Sequence, residues 1–207
     1  LQASARHYQE ALGIFEKGHD TKACARACIG LSRTFIGTKG VTGIREAILV
    51  LRRGLKYLEA EPESYEAASI YAQLASNHGV IDEWEEATVW ADKALAVGEK
   101  VQNYAAIATS LSIKGSLLTD TGRIDEGLPR WQRAFDLSLQ HEEYEDAHFS
   151  LCNLANYTFQ RDLTKSRELA VRHLELCKRL NHMWFEGVTL EQLAMIDWYI
   201  GNWKVGL

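Results

Sequence analysis

Apolar and small residues along this chain recur at three- and four-residue intervals, in blocks separated by short polar or glycine-containing breaks. In the block Ser64–His78 the positions Ala67, Ile70, Tyr71, Leu74, Ala75 and His78 share one helical face. The next block carries Ala87, Trp90, Ala91, Ala94 and Leu95 at the same period. Between them Asp82 precedes Glu83-Trp84-Glu85-Glu86, which predicts an N-cap followed by first-turn carboxylates that complement the helix dipole. One unit later Gly122 marks the turn and Asp125 the expected cap. Pro129 then falls in the expected first turn, where its missing N–H costs no intrahelical bond.

The blocks repeat. The small residues Ala75, Gly115, Ala155 and Ala194 are 40, 40 and 39 positions apart. The small residues that open the following helix, Ala47, Ala87, Gly127, Ser166 and Gly206, step by 40, 40, 39 and 40. The turn positions Asp82, Gly122, Asp162 and Gly201, and the large apolar positions Leu55, Leu95, Phe135 and Leu174, both step by 40, 40 and 39. Independent series that lose one residue in the same neighbourhood define a true internal repeat of helix, short turn and second helix. A single pair cannot bury both its faces, so each must stack on its neighbours. The small residues sit where helices cross closely, and Tyr71, Trp131 and Phe135 fill the space beside them.

The spacing from Leu12 to Leu55 is 43, which places a three-residue insertion around Gly37-Thr38-Lys39-Gly40-Val41-Thr42-Gly43. That segment lacks the Gly-Lys-Ser/Thr ending of a phosphate-binding loop and follows no strand, so a longer inter-helix turn is expected there.

The residues Tyr71-x-x-Leu74-Ala75, Ala87 and Ala94-Leu95 resemble the tetratricopeptide repeat. So do Leu111-x-x-x-Gly115, Gly122, Gly127, Trp131 and Ala134-Phe135. The resemblance implies an all-α, right-handed superhelical solenoid of antiparallel helix pairs covering 1–207 as a single array. Residues 1–18 would be the second helix of a preceding repeat, followed by repeats at 21–60, 64–101, 104–141 and 144–181. A further repeat would begin at 184–207, and the chain reads as a fragment of a longer protein. Lys114 stands where this family usually has Leu, and His173 where it usually has Ala. The repeat length, and the phrase Ala11-Leu12-Gly13-Ile14-Phe15-Glu16-Lys17-Gly18-His19-Asp20, are similar to the sensor arrays of bacterial signalling ATPases and of maltose-regulator-type transcriptional activators.

In that family the first helix of each pair lines a concave groove. Carried over position by position, the groove would take Ser69, Ala72, Gln73 and Ser76, then Thr109, Ser112, Ser116 and Thr119. Phe149, Cys152, Asn153, Asn156 and Phe159 would follow, then Val188, Glu191, Gln192, Met195 and Trp198. Ala72 and Ser112 occupy the positions where chaperone-tail binders carry lysine, so a carboxylate clamp is not expected. The amides and aromatics at the later positions suit a peptide backbone and its apolar side chains. Alternatively these aromatics pack against a following repeat. The implied function is a protein-interaction or regulatory scaffold holding a protein, a peptide or another domain of the same chain. The alternative is a domain that senses a small inducer within a multidomain signalling ATPase or transcriptional regulator.

Composition narrows the field. Hydrophobic residues make up 46% and charged residues 25%, which fits a folded protein and excludes a disordered one. The net charge is −5 and no basic stripe is visible, against nucleic-acid binding. No apolar run approaches the ~18–20 residues that cross a bilayer, so no membrane segment is expected. Four cysteines, Cys24, Cys28, Cys152 and Cys177, do not make a disulfide framework in a chain of this size, and a reducing cytoplasm is the simpler setting. Cys24 and Cys28 lie four apart on one helix face without a Cys/His pair to complete a metal set, so buried packing is expected. No nucleophile, metalloprotease or nucleotide motif occurs. The expectation is therefore no enzyme, no cofactor and no metal.

Overall fold

The computed structural model describes residues 2–202, and all regular structure among them is helical. In chain order the helices are α1 (Gln2–Lys17), α2 (Thr21–Lys39), α3 (Ile44–Lys56), α4 (Tyr65–Val80), α5 (Trp84–Val101), α6 (Tyr104–Asp120), α7 (Ile124–Gln140), α8 (Tyr144–Thr158), α9 (Leu163–Leu180) and α10 (Met183–Tyr199). The short turns between successive helices make each an antiparallel neighbour of the next. The chain divides into two compact units, one running to Ile113 and one starting at Lys114, with the division inside α6. Gly206, a member of one repeat series, lies outside the described residues.

In the first unit α1 packs on α2, α2 on α3, α3 on α4 and α4 on α5. Its core is aliphatic: Ile44, Leu51, Leu58, Ile70 and Leu74 are fully buried. Cys24 and Cys28 pack with Leu12 and Ala27, and burial pushes the Cys28 thiol up to about 11. The glycine-containing insertion does not form an extended loop. α2 continues through it to Lys39 and a 3₁₀ turn, Gly40–Gly43, leads straight into α3. Gly43 is needed there, because a β-carbon at this position would meet the Phe35 carbonyl oxygen at 2.4 Å.

In the second unit α7 packs on α8, α8 on α9 and α9 on α10 around Trp131, Phe135, Leu151, Ala155, Leu169 and Ile196. The small crossing residues behave as the repeat requires. A β-carbon on Gly127 would lie 2.5 Å from Thr119 Cγ2 and 2.9 Å from the Gly115 carbonyl oxygen. At the next crossing Ser166 Oγ donates to the Ala155 carbonyl at 2.8 Å.

One turn geometry recurs along the chain. His19, Asp82, Gln102, Gly122, Glu142, Asn181 and Gly201 all adopt left-handed backbone, with φ between 54° and 81°. After each, the next N–H donates five residues back: Glu83 to His78, Asn103 to Gly98, Arg123 to Leu118, Glu143 to Ser138, His182 to Cys177. This closes the preceding helix. The α8–α9 turn departs from the pattern. Asp162 has φ −151°, caps α9 by accepting from the Lys165 N–H, and donates its own N–H to Thr158, four residues back.

The turn therefore corrects three expectations. Asp162 is equivalent to the N-cap positions Glu83 and Arg123, not to Asp82 and Gly122, and the residue dropped from the repeat is the left-handed one. Asp82 is not a cap, since it closes α4 while Glu83 occupies the cap position of α5. Likewise α7 starts at Ile124 behind Arg123, so Asp125 lies within the first turn and Pro129 is the sixth helical residue. Its missing N–H leaves the Asp125 carbonyl without the usual intrahelical donor.

Candidate functional site

The first helices of successive pairs lie side by side within each unit. In the first unit Ser32 Oγ on α2 donates to Gln73 Oε1 on α4 at 3.1 Å. The buried Asn103 side chain at the start of α6 donates to Ser69 Oγ at 2.8 Å and to the Tyr65 carbonyl at 3.0 Å, while its Oδ1 caps α6 at the Ala106 N–H. Ser69, Gln73, Ser76 and Thr109 are half-buried and Ser112 is buried, so this stretch of the predicted groove is small, polar and largely engaged in packing.

In the second unit Gln192 on α10 donates to Asn156 Oδ1 on α8 at 2.7 Å, which brings two predicted groove residues together. Gln192 itself is buried, whereas Asn156 and Glu191 are exposed. Ser116 and Asn153 are half-buried, and Asn153 Nδ2 donates to the Phe149 carbonyl of its own helix. Phe159 is also half-buried and meets Tyr199 edge-on, with ring centroids 5.5 Å apart. The remaining apolar positions stand out from the surface: Phe149 is 49% exposed, Met195 46% and Trp198 68%. The two α8–α10 faces thus present exposed rings and a thioether beside an amide pair, a combination suited to apolar side chains and a peptide backbone.

A second cluster in this unit was not read from the sequence. His148 on α8 and His173 and Cys177 on α9 are fully buried and point at one another. His173 Nε2 lies 2.6 Å from His148 Nδ1, and Cys177 Sγ lies 3.5 Å from the former and 3.7 Å from the latter. Thr189 on α10 donates to the Phe185 carbonyl, so its oxygen faces His173 Nδ1, 2.8 Å away, as an acceptor. His182 stacks on His148, and its Nε2 contacts the Glu145 carboxylate at 3.0 Å. Burial, and then the neighbouring His148, push His173 down to about 4. Burial followed by His182 lowers His148, and burial raises the Cys177 thiol. The signal available in the sequence was His173 itself, at a position where the repeat usually carries Ala.

No family model and no curated protein matches the chain. Among solved structures it is similar to BtubC (BKLC) from P. vanneervenii, at 13% identity and a TM-score of 0.75, covering 98% of this chain and 85% of that one. It is also similar to a Signal Transduction ATPase with Numerous Domains protein with a tetratricopeptide repeat sensor from Pyrococcus horikoshii, at 15% identity and a TM-score of 0.63. That match covers 91% of this chain and 30% of that one. A third is a Podosopora anserina kinesin light chain with TPR-like repeats, at 13% identity and a TM-score of 0.60, covering 87% of this chain and 89% of that one. The chain has a tetratricopeptide-like helical-repeat fold.

Proposed function

We propose that this tetratricopeptide-like chain is a non-catalytic interaction or regulatory scaffold that holds a peptide or a neighbouring domain against its first-helix face. The observation that carries the reading is the exposed set Phe149, Met195 and Trp198 beside the Asn156–Gln192 amide pair. Aromatic side chains and Met are enriched at interaction surfaces, and side-chain amides offer both donors and acceptors to a peptide backbone. Among the described residues no helix is long and apolar enough to cross a membrane. We infer a reducing, cytoplasmic setting from the free thiols of Cys24, Cys28, Cys152 and Cys177.

The test is to select peptides from a random library on the chain and titrate the strongest binders calorimetrically. Saturable binding weakened by about thirtyfold or more on Trp198→Ala or Phe149→Ala is the expected result. Binders indifferent to both substitutions would overturn the reading.

A second reading, an inducer-sensing array of a larger regulator of signalling or transcription, has the likeness to the repeat sensor of the signalling ATPase in its favour. Saturable sugar binding that is lost on Asn156→Ala would favour it over a scaffold alone.

A further inference from the structure

The repeat register gives the buried histidine–cysteine cluster a meaning that its contacts alone do not. His148 falls 40 residues after Ala108, which falls 40 after Ala68. Past the one-residue deletion, His173 falls 39 residues after Ala134, itself 40 after Ala94, and Cys177 follows Ser138 and Gly98 at the same steps of 39 and 40. In the two preceding repeats all three positions are small and buried, as close helix packing demands. In one repeat all three are changed together, to two imidazoles and a thiol. The side chains converge so that the donor atoms of all three lie within 4.8 Å of one another. Buried polar groups impose a desolvation cost that packing does not require here, and three independent changes have produced one set of soft and borderline donors.

We propose that His148 Nδ1, His173 Nε2 and Cys177 Sγ form a binding site for a first-row divalent metal ion, zinc being the best fit. A tetrahedral zinc with ordinary bonds sets nitrogen–sulfur edges of about 3.6 Å and a nitrogen–nitrogen edge of about 3.3 Å. The two sulfur edges, 3.5 and 3.7 Å, already match. The histidine pair, at 2.6 Å, opens by about 0.7 Å and exchanges one hydrogen bond for two metal bonds.

The surroundings prepare the ligands. Because Thr189 spends its proton on the Phe185 carbonyl, it accepts from His173 Nδ1–H, which leaves the Nε2 lone pair facing the cluster. Such an outer hydrogen bond fixes the tautomer of metal-ligating histidines. His148 Nε2 has no hydrogen-bond partner among the described residues, so moving the ring proton there to free Nδ1 breaks nothing at that atom. Cys177 binds as thiolate: the sulfur's electron pair goes to the metal and its proton leaves to solvent, one proton per metal bound. Three protein donors leave one tetrahedral position for a water or a further ligand. Cys152, one turn after His148, lies outside the converging set.

The test uses the whole chain, stripped with chelator and titrated with cobalt(II) as the probe. The expected result is a thiolate-to-cobalt charge-transfer band with tetrahedral d–d bands, saturating at one equivalent and displaced by zinc. A Cys24→Ser, Cys28→Ser, Cys152→Ser variant keeps the band, because those thiols are outside the site. Cys177→Ser abolishes the band, and His173→Ala weakens cobalt binding at least a hundredfold. The triple change His148→Ala, His173→Ala, Cys177→Ser restores the residues of the preceding repeat and should fold while losing the metal. If single variants fold poorly, the wild-type chain and the variant lacking the other three cysteines decide the matter. A band in both upholds the site, and its absence from either overturns it. A band that survives Cys177→Ser would also overturn it.

Discussion

The indole nitrogen of Trp131 lies 2.9 Å from where a β-carbon on Gly115 would stand, so the fully buried ring of α7 occupies the space that glycine leaves on α6. Gly115→Ala gains helix propensity but drives a methyl group into an aromatic ring that is packed on every side. The expected net effect is a loss of about 1–3 kcal/mol, read from urea unfolding of the chain. An equal or higher midpoint would show that Trp131 can move aside. Ala87→Leu and Ala155→Leu, at corresponding crossings in the two units, should cost about 1–3 kcal/mol for the same reason.

Glu142 closes α7 with φ 59°, a conformation in which its β-carbon crowds its own backbone. Glu142→Gly is expected to raise stability by roughly 0.5–1 kcal/mol, the relief of that crowding being partly offset by a freer unfolded chain. The control is Gln160→Gly in the α8–α9 turn, which contains no left-handed residue among those described. Thermal unfolding should show a gain for the first and none for the second.

Asp197 on α10 is buried and accepts from Arg167 Nε at 2.7 Å and from Asn202 Nδ2 at 3.1 Å. The Arg167 contact, ahead of the opposing effect of burial, holds this carboxyl below its ordinary value. Its folded-state pKa is depressed, so its contribution is complete above about pH 4, the unfolded value, and disappears as pH falls through the folded one. Asp197→Asn should cost about 2 kcal/mol near neutrality. The gap in melting temperature between wild type and variant should close below about pH 4. A gap that stays constant with pH would count against the ion pair.

Met195 and Trp198 stand well out from α10. Met195→Ala and Trp198→Ala are expected to change unfolding free energy by less than about 0.5 kcal/mol, as surface substitutions do. Large destabilisation by either would mean that these side chains hold the repeat together instead of facing a partner.

The sequence made the helix pairs legible because close crossings demand small residues, and those demands recur at a fixed interval. Gly127 and Ser166 are examples: each touches the helix that the period assigns to it. Backbone dihedrals leave a fainter trace. Asp82 looks like a cap because aspartate favours both caps and left-handed turns, and the two positions are adjacent in a turn this short. At α7 a first-turn carboxylate, Asp125, looks like the cap for the same chemical reason, which put the expected start two residues late and misplaced Pro129. The aromatic face on α8 and α10 was marked by residue type, but hydrophobic periodicity does not say which ring stays outside. Phe159 turned partly inward against Tyr199 while Trp198 did not. The histidine–cysteine cluster escaped because its members are 25 and 29 residues apart and each looks ordinary alone.

The side-chain bonds that join neighbouring repeats have a consequence for how the chain folds. Glu16–Arg53, Arg26–Glu66, Asp120–Tyr157, Glu145–His182 and Asn156–Gln192 each span between 36 and 40 residues. No such bond reaches beyond the neighbouring repeat, so each closes a loop of only one repeat length and assembly can start at more than one repeat and spread outward. Damage in such a chain stays near its origin. A substitution that loosens one repeat should raise hydrogen exchange there and in its immediate neighbours, while distant helices keep their protection.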